Sequence, residues 1–68
     1  MSKKMDFVVY CMEIVKRARG LSGRQVYTLF EKYDLFKFIT DFYELLHIHG
    51  EKYILEDIEE RISEYPQI

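Results

Sequence analysis

The 68-residue chain has one cysteine, Cys11, one proline, Pro66, and three glycines, at 20, 23 and 50. A single thiol forbids an intrachain disulfide, and no Cys/His spacing suits a structural zinc. Apolar runs are short, Phe7 to Met12 being typical, so no transmembrane helix is expected. An excess of positive charge is also missing: 10 Lys and Arg face 12 Asp and Glu, for a net charge of −2. Generic binding to a phosphate backbone rests on that excess and is disfavoured here. Met1-Ser2-Lys3-Lys4 is basic and precedes an apolar run. Asp6 and Glu13 interrupt that run and no small-residue cleavage site follows, so a secretory leader is not expected. A cytoplasmic protein with one reduced thiol is the expectation.

What is present is a hydrophobic share of 49% with 16% aromatics, which argues for a folded chain. Residues 1–68 leave room for a single domain that buries about 60% of its unfolded surface, near the lower limit for folding without a staple. Punctuation by the glycines predicts an all-α fold, a small bundle of three main helices plus a short C-terminal helix.

The first helix is predicted over Lys3 to Arg19. Its apolar positions cover roughly 260° of the helical wheel, against about 100° for an ordinary surface helix. It is therefore central or covered by a partner chain. Val8 and Val9 favour a strand, but the length and the lack of alternation favour helix. Gly20 suits the residue after its end. In Leu21-Ser22-Gly23-Arg24-Gln25-Val26, Ser22 and Gln25 read as a capping box and Leu21 with Val26 as a hydrophobic staple. The second helix follows, burying Val26, Leu29, Phe30 and Tyr33.

Asp34 is the expected N-cap of a third helix from about Leu35 to His47. Its apolar arc runs through Leu45, Phe38, Phe42, Leu35, Leu46, Ile39, Tyr43 and Phe36. Glu51 to Glu56 reads either as strand or as loop, with an extended Tyr53-Ile54-Leu55 lying across the bundle. Asp57 and Glu60 read as a second capping box, opening a short last helix with Ile58, Ile62 and Tyr65 inward and Pro66 at its end.

No catalytic constellation emerges. His47 and His49 lie about 200° apart on a helix and cannot share a metal ion. Cys11 sits in the most apolar helix, where a thiolate is disfavoured. The carboxylates Glu56, Asp57, Glu59, Glu60 and Glu64 lack the spacing of a calcium loop. No catalytic, cofactor-binding or metal residue is assigned, no cofactor is expected, and the chain is read as a non-enzyme.

Charge is polarised. Residues 1–34 carry 7 basic and 4 acidic side chains, +3, and residues 35–68 carry 3 and 8, −5. Such polarity serves either a partner or internal balance. The eleven Phe and Tyr are the stronger hint. Tyr10, Tyr27, Phe36, Tyr43 and His47 lie at the edges of their apolar arcs, and aromatic rims of that kind favour protein interfaces. They form the candidate interaction surface.

Four segments carry a family resemblance: Phe7-x-x-Tyr10-Cys11-x-Glu13; Leu21-Ser22-Gly23-x-x-Val26-Tyr27-x-Leu29-Phe30-x-Lys32-Tyr33; Tyr43-x-x-Leu46-His47-x-x-Gly50; and Tyr53-Ile54-x-Glu56-Asp57-Ile58. In order and spacing, from about residue 5 to 62, the chain resembles a bacterial family of small proteins known only as a domain of unknown function. Members of that family look like companions of a neighbouring gene, often one resembling an ADP-ribosyltransferase. The resemblance implies an accessory or antitoxin-like partner of that gene's product.

The expected function is a non-enzymatic protein-interaction module whose partner is a second copy, as a homodimer, or the neighbouring gene product. The alternative is a small helix-turn-helix-like nucleic-acid-binding regulator built on the second and third helices. A membrane partner is not expected.

Overall fold

In the computed structural model, which describes residues 2–65, every regular element among them is helical. Helix α1 spans Lys3–Arg19, α2 Gly23–Lys32, α3 Leu35–Asp41, α4 Tyr43–Leu46 and α5 Glu51–Glu64. The all-α expectation is borne out. The expected end of the last helix at Pro66 lies outside the described residues.

The α1 bounds are those the sequence predicts. Ser2 accepts the Met5 amide at its start, and Gly20 at its end adopts the left-handed conformation, φ 64°. Only glycine takes that turn without strain. The β-branched Val8 and Val9 are absorbed because Val8, Cys11, Ile14 and Val15 form one buried helical stripe. Helices α2, α3 and α5 all pack on α1, which is how its wide apolar arc is covered within one chain. Coverage stops short of Met5, Val9 and Tyr10, which stay exposed.

The capping box of α2 forms as predicted: the Ser22 amide donates to Gln25 Oε1 at 2.9 Å, and the Gln25 amide donates to Ser22 Oγ at 3.1 Å. Leu21 packs against the core, which includes Val26 and Phe30.

Three expectations need correction. Asp34 precedes α3 but makes no side-chain cap; it turns the chain by adopting the left-handed conformation itself, φ 55°. Asp and Asn tolerate that region better than most residues. The helix expected over Leu35 to His47 breaks at Phe42, whose φ of −106° and ψ of 21° leave the helical region and separate α3 from α4. Just before the break, the Thr40 hydroxyl donates to the carbonyls of Phe36 (3.0 Å) and Lys37 (3.1 Å). Such back-bonding bends helices. Finally, Glu51 to Glu56 is neither extended nor a lead-in: it is the first half of α5, fourteen residues long. Ile54 and Ile58 are buried and Ile62 follows at the same spacing. Asp57 and Glu60 therefore lie inside a helix rather than at its start, and the last helix is long, not short.

The core gathers Val8, Cys11, Ile14, Val15, Val26, Phe30, Leu35, Ile39, Leu46, Ile54 and Ile58. The accessible surface of 4925 Å² agrees with the roughly 4,600 Å² that size scaling gives.

Candidate interaction surface

The groups that serve chemistry elsewhere have structural partners here. Cys11 is fully buried, and burial pushes its thiol up to about 12. Desolvation penalises the thiolate, so a nucleophilic role has no support. The His47 ring stacks on Tyr43 at 4.5 Å, and its Nδ1 lies 2.7 Å from the Tyr43 carbonyl oxygen. That nitrogen therefore carries the proton and donates. His49 instead meets Tyr53, with ring centroids 5.7 Å apart. Among the described residues no group of three or more His, Cys, Asp or Glu is placed to hold a metal, and no polar or charged residue is buried.

The charge polarity is partly consumed inside the molecule. Arg17 meets Glu51 at 2.7 Å, and Arg19 holds both oxygens of Glu59. Donating to the Glu59 carboxylate holds the Arg19 guanidinium more firmly in its charged form. The basic end of α1 thus lies along one side of α5. A cleft of about 380 Å³ opens there, lined by Ile14, Ala18, Leu55 and the Arg17–Glu51 pair, with Lys52 beside it. The one carboxylate that lines it, Glu51, is the one paired with Arg17.

The five aromatic-rim residues fall into two groups. Tyr10, Tyr43 and His47 are joined through Phe7, whose ring lies 6.0 Å from Tyr10 and 5.4 Å from Tyr43. Tyr27 and Phe36 pair at 5.5 Å, and Phe36 leans on buried Phe30. Tyr10, Tyr27 and His47 are exposed, whereas Phe36 and Tyr43 are half-buried. Phe7, the bridging ring, was not among the sequence candidates because it sits well inside the apolar arc of α1.

A larger apolar surface lies where the third helix breaks. From residue 42 to 50 only Leu46 is buried. Phe42 is 46% exposed, Leu45 62%, Ile48 69% and, at the start of α5, Tyr53 63%. At roughly 200 Å² for a fully exposed large side chain, these four together expose roughly 500 Å². Leu45 and Phe42 belong to the apolar arc read from the sequence. On the helical wheel Leu45 is at the rim of that arc, about 100° from Leu46, which is buried with Leu35 and Ile39.

Residues 6–65 match the sequence profile of a family described as a protein of unknown function, DUF3791. No curated protein matches the chain. No solved structure matches it either.

Proposed function

We propose that this chain, which belongs to the DUF3791 family, is a non-enzymatic protein-interaction module that binds through the apolar surface at the α4–α5 corner. The supporting observation is the uncovered strip of Phe42, Leu45, Ile48 and Tyr53 on a domain too small to leave such area bare without cost. The aromatic group of Tyr10, Phe7, Tyr43 and His47 borders α4 and extends the surface. Large amphipathic rings of this kind dominate the anchor positions of protein interfaces. In the finer form of the reading, the chain is an accessory or antitoxin-like partner of a neighbouring gene product resembling an ADP-ribosyltransferase.

The nucleic-acid reading gains no specific support. Helix α3 has seven residues, and its one cation, Lys37, is held at 2.7 Å by Asp41. A recognition helix needs free cations and polar reach toward bases.

The test is co-purification from the native host at physiological salt, comparing the wild-type chain with the L45S/I48S double variant. Both positions are exposed, so the variant is expected to fold. Stoichiometric capture of a protein by the wild type and its loss in the variant is the expected outcome. Equal capture by both, or recovery of the bare chain alone, overturns the reading.

A further inference from the structure

The interaction reading leaves the partner's chemistry open, and the surroundings of the strip narrow it. Phe42 shares a cleft of about 240 Å³ with Phe38 of α3 and with Asp57, Glu60, Arg61 and Glu64 of α5. Tyr53 stands one turn before Asp57 on the same side of α5. Leu45 and Ile48 stand one and two turns beyond Phe42. Exposed apolar surface at the corner therefore continues, along one line, into a row of carboxylates. From Tyr53 to Glu64 that line is roughly 16 Å long, about three helical turns.

Among the described residues, Asp57, Glu60 and Glu64 form no ion pair, in contrast to Glu51 and Glu59 on the other side of α5, which hold Arg17 and Arg19. The cleft's own cation, Arg61, sits over the Phe38 ring at 5.3 Å. Two aromatic rings with carboxylates above them suit a cationic side chain, which gains from both.

Resting on the interaction reading, we propose that this line is a groove for a basic amphipathic helix of a partner protein. Apolar residues in its first turns seat on Leu45 and Tyr53. Lys or Arg in its following turns lies over Phe42, between Asp57, Glu60 and Glu64. Helix-in-groove recognition uses anchors at such spacings. A second copy of this chain fits less well, because a two-fold contact along α5 brings two carboxylate rows toward one axis.

Two fluorescein-labelled helical peptides test this by anisotropy. They share apolar residues at i, i+3, i+4 and i+7 and differ in carrying Lys and Arg, or Glu, in the later turns. The basic peptide is expected to bind at least about tenfold more tightly, with affinity falling as salt rises. L45S weakens it by at least about tenfold, and E60K/E64K reverses the preference between peptides. Equal affinities, no binding of the basic peptide at about 100 μM, or an unaltered preference in E60K/E64K overturns the proposal. Sedimentation equilibrium on the chain alone adds a further check, since a dimer abolished by L45S assigns the groove to a second copy instead. A native partner lost in L45S/I48S but retained by E60K/E64K refutes the basic helix while leaving the interaction reading intact.

Discussion

The burial of Cys11 gives a quantitative test of the core. Its thiol lies at 0% exposure between Val8, Ile14 and Val15 on α1 and is raised from 9.0 to about 12. That difference lowers the thiolate fraction near pH 8 by about a thousandfold. Alkylation of the native chain must then proceed through opening. At roughly 0.05–0.15 kcal/mol per residue, a domain of this size has a stability of about 3–10 kcal/mol. Labelling with iodoacetamide at pH 8 is therefore expected to be at least about a hundredfold slower in buffer than in denaturant. Its urea dependence should follow the unfolding free energy measured by circular dichroism. The same group makes stability pH-dependent. Its folded pKa is raised, so its contribution is complete below pH 9 and is lost as pH climbs toward 12, where the unfolded chain releases the proton and the folded one keeps it. Relative to C11A, which removes the thiol and leaves the tyrosines, wild type should lose about 1.4 kcal/mol per pH unit across that window. Native labelling within tenfold of the unfolded rate, or equal pH slopes for the two proteins, refutes the reasoning.

Phe30 is fully buried beneath Phe36. F30A should cost about 3–5 kcal/mol, enough to unfold much of the population at room temperature, as read by far-ultraviolet dichroism. S22A removes half of the reciprocal cap of α2 and should cost about 1 kcal/mol in urea denaturation. The two left-handed positions predict opposite signs: G20A, at φ 64°, destabilises by about 1 kcal/mol, while D34G, at φ 55°, stabilises by up to about 1 kcal/mol. Paired thermal melts would expose an error in either backbone argument.

Signals resting on local chemistry were legible in the sequence. Helix α1, the Gly20 turn and the Ser22–Gln25 box follow from periodicity, the special freedom of glycine and two side chains three residues apart. The resemblance to a family of unknown function also carried, since the family match spans residues 6–65. The breaks were less legible. Thr40 gave no warning that it would bond backward and end α3 one turn before Leu46, because a threonine on a polar face is ordinary. Asp34 was read for its side chain when its backbone did the turning. In α5, Tyr53-Ile54-Leu55 masked the Ile54, Ile58, Ile62 spacing, which was the signal that could have extended the helix back to Gly50. The candidate surface was less legible: Leu45 and Phe42 belong to the apolar arc of the third helix, and periodicity does not say which part of so wide an arc a neighbour covers. The contact between Arg19 and Glu59 depends on how α1 and α5 align, which composition alone leaves open.

The central position of α1 has a consequence for synthesis. Helix α1 leaves the ribosome before α5, which covers it, since Ile54 and Ile58 of α5 complete the core around Val8, Cys11 and Val15. At roughly 5–20 residues per second, its apolar stripe waits a few seconds for that cover. Nascent chains lacking α5 therefore carry the same hydrophobic stripe unprotected. Once α5 is free, the short helical connections allow closure within microseconds to milliseconds. The exposed interval is thus set by translation rather than by the folding reaction.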